Sequence, residues 1–279
     1  MPDIACVNGR FGSLSEAVIS VEDRGFQFGD GVYEVIRTYR GQPFSIEAHL
    51  ARLERSAQAL QLPLGHELAQ WASLIDEGLR LSRFPETKIY LQITRGQAPR
   101  DHPFPLDLAP TTILTFRELR PLETSVHDAG VKAVTIEDIR WGRCDIKSLN
   151  LLANVLARQR AKEAGAFEAI LIRAGMVTEG SVSNVVAVRN GVLHTAPEGN
   201  KILSGVTRAI VLELARSERL LVSEEFVGRE DLLRASEVFL TGTTVEVLSV
   251  VEVDGRPIGD GRPGPMSRLL SARWNALIA

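Results

Sequence analysis

One stretch of the sequence decides how the rest of the chain is interpreted: Ile139-Arg140-Trp141-Gly142-Arg143-Cys144-Asp145-Ile146-Lys147-Ser148-Leu149. It runs into a predicted helix over residues 149–164, for which Ser148 is a suitable N-cap. Lys147 is therefore expected among apolar neighbours and close to a helix amino terminus. Both surroundings destabilise an ammonium ion, as a lysine that forms a Schiff base requires. The alternative is a lysine that extends from a helix end into solvent.

The choice of lysine is narrow, because only five of the 32 basic residues are lysines. Arginine cannot replace lysine as an amine nucleophile, since its guanidinium stays protonated. The other lysines fall at predicted strand ends, on a polar helix side or in a loop; they are Lys88, Lys132, Lys162 and Lys201. Lys147 is therefore the candidate for covalent chemistry.

The composition excludes several classes of protein. The chain has 279 residues, 44% hydrophobic and 24% charged, which is typical of a globular protein. A net charge of −3 provides no basic surface for nucleic acid, and no apolar run reaches the roughly 20 residues that span a bilayer. The first residues lack a secretory signal pattern, and the two cysteines, Cys6 and Cys144, provide no disulfide framework or metal cluster. We therefore expect a cytoplasmic enzyme without a metal.

The spacing of apolar residues predicts an α+β chain in two domains. Helices are predicted over residues 47–60, 67–81, 149–164 and 207–221. Strands are predicted over residues 32–37, 88–94, 111–116, 131–136, 169–173, 185–188, 237–241 and 245–253. Residues 120–130 are polar, contain Pro121 and end at Gly130, so we expect an N-terminal domain over 1–119, a linker over 120–130 and a C-terminal domain over 131–279.

Two turns of small residues are candidate phosphate sites. The first, Gly205-Val206-Thr207-Arg208, leads into a predicted helix, and the second, Thr241-Gly242-Thr243-Thr244, follows a predicted strand. Backbone N–H groups at a helix start bind phosphate, although such a sequence is more often only a cap. Since the chain has neither a P-loop nor a G-x-G-x-x-G motif, the two turns together favour a small phosphorylated cofactor over a nucleotide.

Five further side chains could contribute to a site. Arg52 is either a solvated residue of the helix over 47–60 or a phosphate clamp. Glu179, expected in a turn, is either exposed or fixed beside a pyridine nitrogen, which it would keep protonated. Arg100 and His102 share a proline-rich loop and could bind a carboxylate. Tyr33 could add a phenol donor or be a simple cross-strand aromatic.

Several motifs in a fixed order give the chain a resemblance to the fold-type IV, or class IV, aminotransferases, which use pyridoxal phosphate. These motifs extend over almost the whole chain and comprise residues 22–34, 89–96, 137–141, 144–150, 177–181 and 205–208. Within the family, Pro99-Arg100-Asp101-His102 is most similar to the D-amino-acid aminotransferases. Val182 and Gly142 differ from the residues expected in those enzymes.

The resemblance implies two α/β domains with pyridoxal phosphate in the cleft between them. It implies that Lys147 binds the cofactor covalently, that Arg52 binds its phosphate and that Glu179 pairs with the pyridine nitrogen. Leu203 would support the cofactor ring. Further phosphate donors would be Val206, Thr207, Thr243 and Thr244.

The same resemblance implies the substrate and the reaction. Tyr33, Arg100 and His102 would bind the α-carboxylate, the loop with Arg100 and His102 coming from the other subunit of a homodimer. The reaction would move the amino group of a D-amino acid such as D-alanine to a 2-oxo acid such as 2-oxoglutarate, by a ping-pong Schiff-base mechanism. Alternatives are a branched-chain L-amino-acid or amine transaminase, a 4-amino-4-deoxychorismate lyase, and a catalytically silent cofactor-binding protein.

Overall fold

The computed structural model describes residues 3–106 and 109–279. The chain divides into two compact units. The N-terminal unit comprises Met1–Arg120 and Ile146–Asn150, and the C-terminal unit comprises Pro121–Asp145 and Leu151–Ala279. This division differs from the expected one in two places, because the C-terminal unit begins at Pro121 and Lys147 belongs to the N-terminal unit.

The N-terminal unit is an antiparallel sheet covered by helices. Its strands are β1 (Ile4–Val7), β2 (Arg10–Ser13), β3 (Gly31–Tyr39), β4 (Gln42–Pro43), β5 (Thr87–Thr94) and β6 (Thr111–Glu118). They pair in the order β2-β1-β6-β5-β3-β4. Its helices are α1 (Arg24–Phe28), α2 (Ile46–Ala59) and α3 (Leu68–Ser82), with a 3-10 turn over Leu14–Glu16.

The two faces of this sheet differ in burial. Along β5, Ile89, Leu91 and Ile93 are fully buried, as their alternation predicted. They form the core together with apolar side chains of α2 and α3, such as Leu53 and Trp71. The alternate residues Lys88, Tyr90 and Gln92 point to the other face and are only half-buried. That second face is therefore available for functional side chains.

The C-terminal unit is a mixed sheet with helices. Its strands are β7 (Val131–Glu137), β8 (Glu168–Arg173), β9 (Met176–Gly180), β10 (Asn184–Arg189), β11 (Val192–Thr195), β12 (Leu221–Glu224), β13 (Glu237–Gly242), β14 (Glu246–Val253) and β15 (Arg256–Pro257). They pair in the order β12-β11-β10-β13-β14-β7-β8-β9, and β15 adds to β14. Its helices are α4 (Thr124–Ala129), α5 (Leu152–Glu163), α6 (Val206–Ser217), α7 (Arg229–Leu233) and α8 (Pro265–Ile278).

Three predicted elements are corrected by the structure. The segment expected as an irregular linker contains α4, which ends at Gly130 with a positive φ of 73°. The helix expected from residue 149 begins at Leu152, because Ser148 bridges Val32 and the Leu149 N–H donates to the Gly31 carbonyl at 3.0 Å. Ser148 is therefore not an N-cap. The helix expected over 207–221 ends at Ser217, since Leu221 already pairs with Val192 as the start of β12.

Over the ranges that the structure describes, no helix is both long and apolar enough to cross a membrane.

Candidate functional site

Lys147 is fixed by α2 and β3. Its backbone N–H donates to Ser56 Oγ at 3.1 Å, and its carbonyl accepts from the Tyr33 N–H at 2.9 Å. Its half-buried side chain places Nζ 4.3 Å from the centroid of the Tyr33 ring, which is a cation–π distance. Since α5 starts only at Leu152, the prediction that a helix terminus acts on Lys147 is wrong. The amine is positioned by the sheet instead.

Tyr33 belongs to a row of polar side chains on the half-buried face of the sheet. Its ring stacks on that of Tyr90, with 5.7 Å between the centroids. Tyr90 Oη donates to Gln92 Oε1 at 2.6 Å, and burial together with the nearby Tyr33 raises the pKa of the Tyr90 phenol. The Tyr90 hydroxyl therefore stays protonated, and the pair gives Tyr33 a rigid support beside Lys147.

Arg52 is held by a buried carboxylate, in a group that we call the Glu34 cluster (Glu34, His49 and Arg52). Arg52 Nε donates to Glu34 Oε1 at 2.7 Å and Nη2 donates to Oε2 at 2.9 Å, which is a bidentate pair. Arg52 is 5% exposed and Glu34 is fully buried. The interpretation of Arg52 as a solvated helical residue is therefore wrong.

His49 completes the Glu34 cluster. Its Nδ1 lies 2.8 Å from Glu34 Oε2, and it is also buried. Burial lowers the pKa of His49 despite its bond to Glu34, so the ring is neutral near neutral pH. Because an ionised carboxylate only accepts hydrogen bonds, the proton of His49 lies on Nδ1.

The charge of Arg52 determines the ionisation of Glu34. Burial by itself would raise the pKa of Glu34, but the charge of Arg52 and hydrogen bonds from Arg52 and His49 outweigh it. The pKa of Glu34 therefore lies well below its ordinary value of 4.5. The carboxylate stays ionised and fixes the direction of the Arg52 guanidinium.

Glu179 lies at the centre of a hydrogen-bond network in the C-terminal unit. It is on strand β9 and buried, so the expectation of an exposed turn residue is wrong. One carboxylate oxygen accepts a short hydrogen bond from Arg140 Nη1. The other accepts from Asn184 Nδ2 at 3.1 Å and from the Leu203 N–H at 3.0 Å.

Arg140 connects Glu179 to a second buried acid. Arg140 Nη2 donates to Asp138 Oδ2 at 2.9 Å, and Thr178 Oγ1 donates to the same oxygen at 2.9 Å. Burial by itself disfavours the charged form of both side chains. Hydrogen bonds with Asp138 and the charge of Glu179 outweigh this effect and raise the pKa of Arg140. Hydrogen bonds from Arg140 likewise outweigh it and lower the pKa of Asp138. The guanidinium of Arg140 thus joins the two buried carboxyl groups, Asp138 and Glu179.

The small-residue turns lie at strand and helix ends of the C-terminal unit. Gly205 is the N-cap of α6, Val206 is its first residue and Thr207 is buried in its first turn. A side chain at Gly205 would overlap the amide of Asn184, so the backbone approaches that residue closely. Thr243 and Thr244 lie in the turn between β13 and β14.

Arg100 and His102 meet on the ring of Phe28 in the N-terminal unit. The Arg100 guanidinium lies 4.4 Å from the Phe28 centroid, and Arg100 Nη1 donates to the Gln27 carbonyl at 3.1 Å. The His102 ring lies 5.5 Å from the same centroid. Both side chains are exposed. The structure thus brings these two together, and it separately pairs Lys147 with Tyr33.

Several residues of these networks were not found from the sequence. They are Glu34, His49, Asp138, Arg140 and Asn184. His49 and Arg52 are three residues apart and so share one face of α2, which was a usable signal. The pairing of Glu34 with that face depends on packing between a strand and a helix, and the sequence does not record it.

The comparisons with known proteins agree on one family. Residues 31–253 match the family described as "Amino-transferase class IV". A D-alanine aminotransferase of Bacillus licheniformis is 47% identical over 274 residues, which cover 98% of this chain and 96% of that protein. A D-alanine aminotransferase of Staphylococcus haemolyticus is 42% identical over 272 residues, with the same coverage.

Solved structures of branched-chain aminotransferases share the fold. The Escherichia coli branched-chain amino acid aminotransferase has a TM-score of 0.93 and 26% identity, covering 100% of this chain and 95% of that chain. The T.th. branched-chain enzyme, solved with N-(5'-phosphopyridoxyl)-L-glutamate, has a TM-score of 0.90 and 28% identity, covering 99% and 93%. With a family match over most of its length and near-full-length relatives above 40% identity, this chain is an enzyme of the class IV aminotransferase family.

Proposed function

We propose that this enzyme moves the amino group of a D-amino acid such as D-alanine to a 2-oxo acid such as 2-oxoglutarate, with pyridoxal phosphate as cofactor. The observation that carries the proposal is the 47% identity to a D-alanine aminotransferase over 98% of the chain. The pair of Arg100 and His102 on one loop supports it, since two such groups suit a carboxylate. The branched-chain enzymes share the fold at much lower identity.

The residues of each unit fit this cofactor chemically. A half-buried amine beside a phenol ring, as at Lys147, suits a covalent bond to an aldehyde. A buried carboxylate held by Arg140, as at Glu179, suits a protonated ring nitrogen. Arg52 and the turns with Val206, Thr207, Thr243 and Thr244 would hold the phosphate, and Leu203 would support the ring. When bound, pyridoxal phosphate supplies an electron sink for the bond broken at the substrate α-carbon.

Lys147 would also move the proton. We propose that its amine takes the proton from the substrate α-carbon as a general base and then returns a proton as a general acid. Its backbone is anchored to Ser56 and Tyr33. Only the side chain therefore has to move between the atom that gives up the proton and the atom that receives it. The ring of Tyr33, which stacks on that of Tyr90, limits the directions that the Lys147 side chain can take.

Glu179→Gln is expected to lower kcat for transamination by about 10- to 100-fold, in the lower range of what a buried charged group contributes. Glutamine keeps the shape and can still accept from the Leu203 N–H, but it cannot hold a proton on the ring nitrogen by charge. Steady-state rates at saturating D-alanine measure the effect. Glu213→Gln, at an exposed position of α6, is the matched control and should leave kcat unchanged. An active Glu179→Gln enzyme with unaltered kcat would remove Glu179 from the site.

Arg100→Ala is expected to raise KM for D-alanine by about 10- to 100-fold, since a charge-assisted hydrogen bond contributes roughly 1.5–3 kcal/mol. The affinity for pyridoxal phosphate should not change, because Arg100 would bind only the substrate carboxylate. The control is Arg80→Ala, which removes an exposed arginine from the Glu77 ion pair on α3. Equal KM values for wild type and Arg100→Ala would contradict the assignment.

We further propose a homodimer in which the loop with Arg100 and His102 completes the site of the other subunit. Combining two impaired variants, assayed at a D-alanine concentration well below the KM of Arg100→Ala, tests this directly. In a dimer of one Lys147→Ala subunit and one Arg100→Ala subunit, exchange of loops restores one complete site. Activity should therefore return on co-expression if the loop acts across the dimer. A purified mixed dimer that is no more active than the Arg100→Ala homodimer at that concentration would mean that each loop serves its own subunit.

The proposed function is tested by comparing donors. Purified enzyme loaded with pyridoxal phosphate is assayed with 2-oxoglutarate and either D-alanine or L-leucine, and 2-oxo acid formation is measured. The proposal predicts at least about tenfold higher kcat/KM for D-alanine, which corresponds to roughly 1.4 kcal/mol. Preference for L-leucine would favour the branched-chain alternative.

A further inference from the structure

We propose that Arg24 is a positioning residue for substrate binding, because it holds the loop that carries Arg100 and His102. The inference rests on the proposed role of that loop in binding the substrate carboxylate. Arg24 itself would not touch the substrate. It lies on α1, it is only 3% exposed, and its guanidinium reaches the loop from inside the N-terminal unit.

The guanidinium of Arg24 binds consecutive carbonyl groups of the loop. Nη1 donates to the Asp101 carbonyl at 2.6 Å and to the Pro103 carbonyl at 3.4 Å, and Nη2 donates to the His102 carbonyl at 3.2 Å. Backbone carbonyls around one bend are thereby turned towards a single cation. The ring of His102 lies 5.5 Å from that of Phe28, centroid to centroid, while its carbonyl is held by Arg24.

Asp30 orients Arg24 and links it to a second arginine. Arg24 Nε donates to Asp30 Oδ2 at 2.8 Å, and Arg95 Nε donates to the same oxygen at 2.9 Å. Arg95 is in turn anchored, since it donates to the carbonyls of Leu60 and Gln61 at 2.8 Å each. The carboxylate thus connects Arg24 to the segment that follows α2.

Arg95 also contacts the part of the same loop that follows His102. Its guanidinium lies 3.6 Å from the centroid of the Phe104 ring, a close cation–π distance. The segment before Arg100 is held by two backbone hydrogen bonds. The Arg24 N–H donates to the Gly96 carbonyl at 2.8 Å, and the Ala98 N–H donates to the Glu22 carbonyl at 3.0 Å. The loop is therefore fixed before, at and after the residues that would bind substrate.

Phe28 completes the arrangement. The Arg24 guanidinium lies 4.8 Å from the centroid of its ring, and that of Arg100 lies 4.4 Å from it. Arg24 therefore acts on Arg100 through the shared aromatic ring as well as through the backbone. Lysine cannot replace this function, because its ammonium is a single point of charge without the planar fork that reaches several acceptors.

The test is Arg24→Lys in the full-length enzyme loaded with pyridoxal phosphate. We expect KM for D-alanine to rise by about tenfold or more while kcat changes by less than about threefold, and the dissociation constant of pyridoxal phosphate should not change. Arg80→Lys, on the exposed face of α3, is the matched control. A parallel loss of kcat and cofactor affinity, or an unchanged KM, would overturn the inference.

A double-mutant cycle separates positioning from an independent effect. If Arg24 acts through Arg100 and His102, adding Arg24→Lys to Arg100→Ala should lower kcat/KM by at least about threefold less than the same change does in the wild type, because only the positioning of His102 is left to lose. Multiplicative losses would overturn the inference. If Arg24→Lys does not fold, Asp30→Asn replaces it, since it keeps the side-chain shape and removes the charge that orients Arg24.

Amide hydrogen exchange provides a readout that needs no activity. In Arg24→Lys, the Ala98 N–H, which donates to the Glu22 carbonyl at 3.0 Å, should exchange at least about tenfold faster than in wild type, because the loop that follows it is released from its anchor on Arg24. Unchanged exchange would overturn the inference. If the wild type does not transaminate D-alanine at all, the proposed function fails, whereas this measurement still decides whether Arg24 holds the loop.

Discussion

Replacing Lys147 with alanine is expected to lower the rate of amino transfer by roughly 10³-fold or more, since the change removes the amine that we propose as both covalent anchor and proton-transferring group. Within the part of the chain that the structure describes, Lys147 is the lysine that contacts Tyr33, with Nζ 4.3 Å from the centroid of its ring. Its backbone contacts to Ser56 and Tyr33 do not involve the side chain. The variant should therefore fold normally.

The rate of 2-oxo acid formation from D-alanine measures this loss, with Lys162→Ala on the exposed side of α5 as the control. Addition of ethylamine should restore part of the activity of Lys147→Ala, because a small free amine can take over proton transfer. Reduction of the wild type with borohydride, followed by peptide mapping, should locate the cofactor on Lys147. A label on another lysine, or turnover by Lys147→Ala within about tenfold of wild type, would contradict the assignment.

Replacing Glu34 with alanine is expected to lower the free energy of unfolding by about 3–5 kcal/mol, as for other buried ion pairs that lose one partner. Arg52 and His49 would keep their buried places without the carboxylate that now accepts from both. Arg52 would also lose its fixed direction, so the affinity for pyridoxal phosphate should fall.

Urea denaturation at neutral pH measures the loss. Glu77→Ala is the control, since Glu77 forms an exposed ion pair with Arg80 and such pairs contribute about 1 kcal/mol or less. A loss below about 1 kcal/mol for Glu34→Ala would mean that the Glu34 cluster does not stabilise the unit as the geometry indicates.

The stability difference between wild type and Glu34→Ala should depend on pH. The pKa of Glu34 is lowered in the folded protein, so the unfolded chain takes up the proton first, near the ordinary value of 4.5. The stabilisation by ionised Glu34 is therefore complete above that value and is lost progressively as the pH falls below it. Urea titrations at about pH 7 and about pH 3.5 should show the difference narrowing at the acid end. A constant difference would contradict the ionised state of Glu34.

Local patterns predicted much of the fold. The alternation along β5 and the helical spacing of α2 and α3 gave those elements within one or two residues. Asn190-Gly191, a pair that favours a tight hairpin turn, joins β10 to β11 with positive φ at both residues. Asn8-Gly9 carries the same signal between β1 and β2, but its flanking strands are too short to show alternation and were missed.

Elements determined by distant contacts could not be predicted in the same way. Ser148 and Leu149 looked like a helix start, yet they bond to Val32 and Gly31 more than a hundred residues earlier. This pairing both delays α5 and assigns Lys147 to the N-terminal unit. No local sequence pattern predicts this pairing, because it depends on which strand edge elsewhere in the fold is available to Ser148 and Leu149.

In the candidate site, too, local sequence indicated some residues, whereas others depend on contacts with distant parts of the chain. Lys147 could be singled out because the chain has only five lysines and the other four fall at predicted strand ends, on a polar helix side or in a loop. Arg140 could not, because an Asp138-Ile139-Arg140 sequence looks like a solvated local pair. In the structure the side chain of Arg140 is only 7% exposed and that of Asp138 is fully buried, and Arg140 holds Glu179. Burial of charged groups depends on partners far along the chain.

The most direct test of the central claim is the absorbance spectrum of the purified protein loaded with pyridoxal phosphate. We predict a band in the violet region that D-alanine bleaches and L-leucine does not, because the cofactor takes up the amino group of the D-amino acid. Bleaching by L-leucine alone would contradict the D-amino-acid assignment. The absence of any such band after addition of pyridoxal phosphate would contradict the role of Lys147 itself.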